Sequence, residues 1–270
     1  MKFTSLKTTI AFLTIVLCTS CEEVIDIDLN SANPVLVAEG VVDNELPAWV
    51  RLTYTSDYFD AEQAKVEPGA TVIISDKQGN TETMEYIADG LYQARNFIGN
   101  PNNQYTLSII KDGVEYQAST MLLPPSEILS VSFEENENLR PGQTETTYAI
   151  TINFKDDTLS RNYYLIKFQT SGELDEDAGS YYLIDDYSYK NTGEIEYSPL
   201  RLNFNLGEEV KIELYSIDKN TYNYYSEMNN ASGGMMGGSS TPYTPTSNFG
   251  SNVLGYFAAW SKVEYNGIVQ

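Results

Sequence analysis

The chain has no histidine, and among its 270 residues there are only two cysteines and 16 bases. Each shortage closes a class of chemistry. Without histidine there is no Ser-His-Asp or Cys-His relay and no His-ligated zinc. The two cysteines, Cys18 and Cys21, both fall in a stretch with export features, so the folded part is expected to hold no disulfide and to do no thiol chemistry. Walker and dinucleotide glycine loops are missing together with the βαβ setting they require. Acids outnumber bases 38 to 16, a surface that repels nucleic acid and anionic headgroups. Carboxylates are what remains for catalysis. A pair could serve a glycosidase as acid and base, but with 38 acids present pairs by chance are expected. The expectation is a protein that is not an enzyme and uses neither cofactor nor metal.

The first twenty residues are informative. Lys2 and Lys7 give a basic start, and Ile10 to Leu17 give an apolar core shorter than the roughly 20 residues that span a bilayer. Thr19 and Ser20 then stand directly before Cys21, the pattern of a bacterial lipobox, although Cys18 occupies a position where Leu or Val is usual. Residues 1–20 therefore read as a signal peptide, with Cys21 as the acylated first residue of the mature chain. Glu22 to Leu29 follow as an acidic tether over 21–32. Loss of Lys2 and Lys7 takes the net charge from −22 to −24. Such a chain is held at a membrane by its acyl groups and not by charge.

Beyond the tether the hydrophobic period is two, with β-branched and aromatic runs bounded by Gly, Pro, Asn or Asp. Pro34–Gly40, Trp49–Tyr54, Ala70–Ser75 and Gln104–Ile110 read as strands, and Asp76–Asn80 and Lys111–Val114 as reversals between antiparallel neighbours. A strand–turn spacing of this kind fits a sandwich of about seven strands. The fold expected over residues 33–125 is an immunoglobulin-like or prealbumin-like β-sandwich. The run Met121-Leu-Leu-Pro-Pro125 closes it, because two prolines stiffen a connection and cannot sit mid-sheet. Residues 126–270 are expected to form a second, mostly-β domain. Its strands are Ile128–Glu134, Thr147–Lys155, Asn162–Thr170, Ser180–Tyr189, Leu200–Asn205 and Glu209–Tyr215. One short helix follows Ser216 or Asp218 as N-cap, with Tyr222 and Tyr225 at helical spacing and Gly233-Gly234 beyond its end. The class is all-β.

Candidate contact residues come from acids and tyrosines. Asp57-Tyr58-Phe59-Asp60 offers two carboxylates and rings to a ligand, or equally is a strand end whose aromatics face the core. Glu173, Asp175 and Asp177 alternate before Gly179 like a loose calcium loop, but the twelfth position is Ile184 where a carboxylate is required. A solvated hairpin loop is the better reading. The chain carries 21 tyrosines, several in pairs, and Tyr181 and Tyr182 are candidates to face a partner or a sugar. Packing on half-buried sheet faces is the competing reading for each.

Several of these segments together carry a family resemblance. Cys21 to Leu29, Pro34-Val-Leu-Val-Ala-Glu-Gly40, Arg51 to Asp60, Gly69-Ala-Thr-Val72, Asp89-Gly-Leu-Tyr92, Tyr105-Thr-Leu107 and Leu123-Pro-Pro125 are followed by Asn162-Tyr-Tyr164, Leu214-Tyr-Ser-Ile217, Ser247-Asn248 and Leu254-Gly-Tyr-Phe257. In that order they resemble the domain-of-unknown-function 4249 lipoproteins of Bacteroidetes, over nearly the whole mature chain. Ala38 and the Gly-Met insertion at 233–238 depart from the pattern. The resemblance implies an outer-membrane lipoprotein that acts as accessory to a TonB-dependent receptor in nutrient capture or uptake. It supplies no catalytic residues. It also implies that Glu22 and Glu23, just after the lipidated cysteine, signal export to the cell surface. The alternative is a stand-alone surface adhesin that binds glycans or peptides.

Overall fold

The computed structural model describes residues 33–56, 64–136, 146–170, 173–174, 181–189, 192–200, 202–231 and 243–270. In chain order the first half holds β1 (Leu36–Asp43), β2 (Trp49–Tyr54), β3 (Thr71–Asp76), β4 (Thr81–Thr83), β5 (Glu85–Ala88), β6 (Leu91–Gln93), β7 (Asn103–Lys111) and β8 (Val114–Leu122). The second holds β9 (Ile128–Glu135), β10 (Tyr148–Lys155), β11 (Tyr163–Thr170), β12 (Glu173–Leu174), β13 (Tyr181–Asp185), β14 (Glu194–Tyr197), β15 (Glu209–Ile217), helix α1 (Lys219–Ala231) and β16 (Val253–Ile268). A 3-10 turn spans Asp186–Ser188. The chain is all-β with one short helix, as its period-two patterning requires.

The strands form a nine-stranded sheet in the order β12-β11-β15-β16-β1-β2-β6-β5, with β13 also on β11, and two smaller sheets, β4-β3-β7-β8 and β14-β10-β9. The expected boundary at residue 125 lies in the link between β8 and β9. It does not divide the fold into two domains, because strands from both sides of it share the large sheet and Pro34–Gln270 is one compact unit. The reason is β16, a strand that the sequence reading did not anticipate. Its lower half runs parallel to β1, from Leu36 against Val253 to Asp43 against Trp260. Its upper half runs antiparallel to β15, from Ile217 against Trp260 to Glu209 against Ile268.

Alternation along this one strand builds two cores on one face. Val253, Phe257 and Ala259 join the first core with Leu52, Ile74, Leu107 and Ile109, under the β4-β3-β7-β8 sheet. Val263, Tyr265 and Val269 pack into or against the second with Ile152, Phe154, Phe204 and Ile212, under the β14-β10-β9 sheet. Between them stands Ser261, fully buried, whose hydroxyl donates to the Leu123 carbonyl at 2.5 Å. The opposite face of β16 carries Tyr256 and Trp260. Here α1 lies over a third cluster of Tyr163, Leu165, Tyr181, Tyr215 and Ile217, with Tyr222, Tyr225 and Trp260 packed against it.

Local chemistry explains the reversals and ends. The β7–β8 hairpin turns through Asp112 and Gly113, both at positive φ (50° and 78°), the requirement of a two-residue primed turn. Between β3 and β4, Gly79 takes φ 92° and the Asn80 amide donates to Asp76 Oδ1 at 2.9 Å. Asp218, not Ser216, caps α1: its Oδ1 accepts from the Thr221 N–H at 2.7 Å, while Oδ2 accepts from the Met121 N–H and the Thr120 hydroxyl, both at 3.3 Å. Gly255 is the most constrained glycine. It sits at φ 85° against β1, where a Cβ would come within 2.2 Å of the Ala38 carbonyl oxygen. The strand expected at Leu200–Asn205 reduces to a single bridge, Phe204 to Tyr148, and that expected over Ser180–Tyr189 ends at Asp185 before the 3-10 turn.

Candidate functional site

Two of the exposed large side chains, Leu159 and Tyr187, stand where the loop 156–162 meets the 3-10 turn. The sequence Asp156-Asp-Thr-Leu-Ser-Arg-Asn162 links β10 to β11 and is fixed by its own short polar side chains. Asp157 accepts from the Leu159 N–H (2.9 Å) and the Ser160 hydroxyl (3.0 Å). The Asn162 side-chain amide donates to the carbonyls of Asp157 (2.7 Å) and Ser160 (3.0 Å) and to Asp156 Oδ1 (3.1 Å). Its backbone N–H donates to Asp186 Oδ2 at 2.8 Å, which ties the loop to the 3-10 turn. The Tyr164 hydroxyl completes the network on Asp156 Oδ1 at 2.8 Å.

Arg161 clamps the outer side. Its guanidinium takes both carboxylate oxygens of Asp185, Nε to Oδ1 at 2.8 Å, and lies over the rings of Tyr163 (5.5 Å) and Tyr187 (5.0 Å). The arginine holds the Asp185 carboxyl below the usual range. Asp186 goes the other way: burial pushes its carboxyl up, and the Asp156 and Asp185 carboxylates add to the effect, against the Asn162 N–H. Burial, then the bond to Asp156, pushes the Tyr164 phenol well up, so it remains a donor.

What this framework presents is apolar. Leu159 is 93% exposed and Tyr187 81% exposed, one on each of the two joined loops. A cleft of about 470 Å³ opens between Leu123–Glu127 on one side and Lys155, Asp156, Asp157, Ser160 and Asn162 to Tyr164 on the other, with Ser216 and Asn102 also in its wall. Three of the segments that carry the family resemblance, Leu123-Pro-Pro125, Asn162-Tyr-Tyr164 and Leu214-Tyr-Ser-Ile217, therefore contribute to one cleft. Asp156, Asp157 and Asp186 each already accept two hydrogen bonds within the loops. Among the described residues no three His, Cys, Asp or Glu side chains converge as a metal site. The arrangement suits contact with another surface: a stiffened pair of loops, two projecting side chains and an acidic surround.

The predicted contact residues fall elsewhere. Cys21, Glu22, Glu23, Asp57, Tyr58 and Asp60 lie outside the described residues, as does the acidic loop beyond Leu174. Tyr181 is buried and Tyr182 half-buried. Tyr181 is only 9% exposed; it packs edge-on against Tyr225 and donates its hydroxyl to the Tyr225 carbonyl at 2.9 Å. Burial, with the Tyr224 ring system nearby, pushes its phenol up to about 12. Tyr182 points to the opposite face of β13 and packs on Phe168 and Tyr197 in the second core. The sheet is covered here by α1 on one face and by the β14-β10-β9 sheet on the other, so alternation places Tyr181 under the helix and Tyr182 against the second core. Leu159 and Tyr187 were legible only as an apolar residue amid turn formers and one tyrosine among many. The Asp-Asp-Thr-Leu-Ser-Arg-Asn string was the available signal.

The family model described as domain of unknown function (DUF4249) matches residues 22–266. No curated protein matches the chain.

Proposed function

The chain belongs to the DUF4249 family, and on that footing we propose that it is a non-enzymatic outer-membrane lipoprotein, anchored through acylated Cys21. It is carried to the cell surface by Glu22 and Glu23, and serves as accessory to a TonB-dependent receptor in nutrient capture or uptake. The observation that supports the docking role is the exposure of Leu159 and Tyr187 on loops immobilised by Asn162 and Arg161. Large side chains on a pre-ordered surface lose little entropy on binding, and interface energy concentrates in a few such residues.

Co-purification tests it. Tagged, gently solubilised lipoprotein brings down a TonB-dependent receptor, and Leu159→Asp together with Tyr187→Asp abolishes the association while thermal unfolding is unchanged. Recovery of the lipoprotein alone, or equal recovery by the double variant, overturns the docking assignment. The export assignment is separate: replacing Glu22 and Glu23 by Ala lowers proteinase accessibility on intact cells, and unaltered accessibility removes it.

The adhesin reading has one observation in its favour. A smaller cleft of about 270 Å³ is lined by Asn220, Asn223, Tyr224, Glu227, Ser247 and Asn248, with Tyr224 stacked on Tyr256 at 4.6 Å. Amides beside an aromatic platform are what a sugar ring requires. Failure of a glycan array to retain the protein removes this reading and leaves the first untouched.

A further inference from the structure

The long strand β16 has two neighbours, and neither runs its full length. Where β1 is alone beside it, the opposite edge is closed by a side chain: the Asn248 amide accepts from the Phe257 N–H at 3.0 Å and donates to the Phe257 carbonyl at 2.8 Å, standing in for a strand. Where β15 is alone beside it, among the described residues the edge on the β1 side is closed at its start, by the Lys262 N–H donating to Asn44 Oδ1 at 2.9 Å, and not beyond.

Parity then states which groups lie beyond. Val269 exchanges hydrogen bonds with Gly207 and Glu208 on the β15 side, at 2.9 and 3.0 Å. Odd-numbered positions of the upper half thus face β15. Lys262, and with it Glu264, Asn266 and Ile268, direct their N–H and carbonyl groups to the other edge. Among the described residues no strand pairs with that edge past Trp260.

Sheet edges are normally blunted by proline, bulges or outward lysine. None of these operates here. Residues 262–268 contain no proline, and the register with β15 is unbroken from Trp260 to Ile268. The single lysine, Lys262, is neutralised by Glu264 (2.5 Å), Glu45 (3.3 Å) and Glu213 (3.8 Å).

We infer that Lys262–Ile268 is a strand-addition site that takes an extended segment of a partner protein. The flanking side chains specify the segment. Val263 and Tyr265, packed against the second core, border one face of the edge, and Lys262, Glu264 and Asn266 border the other. Cross-strand neighbours on one face contact each other, so the added strand alternates apolar and polar residues. Resting on the reading above, the partner is the receptor, engaged at a second place besides Leu159 and Tyr187.

The test uses the full-length lipoprotein in cells that carry the receptor. A photo-crosslinking benzoylphenylalanine is placed at Ile268 and, in separate variants, at Leu159 and at Tyr187, with the same probe at Tyr86 on the far edge strand β5 as control. The probe at 268 forms an adduct with the receptor and the probe at 86 does not. Asn266→Pro removes one outward N–H, abolishes the adduct and leaves the melting temperature unchanged. Tyr265→Pro, whose N–H faces β15, melts at lower temperature and verifies the parity. An adduct that survives Asn266→Pro, or adducts from positions 159 and 187 without any from 268, overturns strand addition and leaves receptor docking standing. Absence of adducts from all of these positions overturns both.

Discussion

The two cores along β16 are built from different material. The first is mainly aliphatic: Val50, Leu52, Val72, Ile74, Leu107, Ile109 and Leu122 interlock around the rings of Tyr92, Tyr105, Phe249 and Phe257. The second is aromatic: Phe154, Tyr164, Phe168 and Phe204 form its centre, and Phe133, Tyr148, Tyr182, Tyr189, Tyr197 and Tyr265 close it round. Rings bury much area per residue but carry hydroxyls that need partners, so the second core extends into a polar network through Tyr164 and Asp156. The first core has polar margins too, where the Tyr92 hydroxyl donates to the Glu67 carbonyl at 2.9 Å, but fewer half-buried rings close it round. The loops that display Leu159 and Tyr187 grow from the aromatic half.

The largest effect that discriminates between the halves comes from truncating a ring in each. Phe257→Ala and Phe204→Ala both empty fully buried sites and are each expected to cost about 3–5 kcal/mol in denaturant unfolding. Hydrogen exchange separates them. Phe257 lies on the shared strand, so its loss lowers protection in both halves; Phe204 hangs on a single bridge to Tyr148, so its loss is confined to the second. Equal, global loss from both variants means that the halves are one cooperative unit and the comparison fails.

A smaller effect tests the seam. Ser261→Ala removes the bond to the Leu123 carbonyl between the cores and is expected to cost about 1–2 kcal/mol. Thermal unfolding monitored by exchange in each half then shows two midpoints closer to separation than in the parent. A stability loss with the midpoints still coincident assigns Ser261 to packing alone.

The smallest concerns charge at the margin of the aromatic half. Burial and the carboxylates of Asp156 and Asp185 raise Asp186, so its ionised form costs stability above the raised value, and the cost disappears as pH falls towards the ordinary range near 4. Asp186→Asn is therefore more stable than the parent at neutral pH, by under about 1 kcal/mol because solvent screens the site, and indistinguishable from it in acid. A gain that persists at low pH assigns the effect to the hydrogen bonds from Asn162 instead.

The two halves also differed in how far they could be read in advance. Alternation and turn formers place β2, β3 and β7 within a residue, β1 within three, and both tight reversals, because hairpins are local and glycine at positive φ announces them. The helix was placed by Tyr222 and Tyr225 at spacing three, which indeed meet Tyr163 and Tyr181. β16 escaped notice. Gly255, Ala258 and Ala259 are poor strand formers by propensity, and only contact with Ala38 and a crowded core makes small residues necessary there. The division at Pro124-Pro125 was a sound reading of a stiff link, yet pairing between Leu36 and Val253 leaves no local trace. Tyr181 and Tyr182 show the same limit: a tyrosine's exposure depends on what covers its face, and α1 arrives from far along the chain. Leu159 and Tyr187 were hidden for the opposite reason, since nothing about an isolated leucine in a turn tells whether the turn is rigid.

One consequence of β16 concerns time. Among the described strands it comes latest in chain order, yet the first core cannot be sealed without Val253 and Phe257, nor the second without Val263 and Tyr265. A chain emerging from its amino end has no half that can finish early, and its most distant partners must wait for each other across nearly the whole sequence, which makes for slow, late closure. Such a molecule stays open until β16 is available to pair with both β1 and β15.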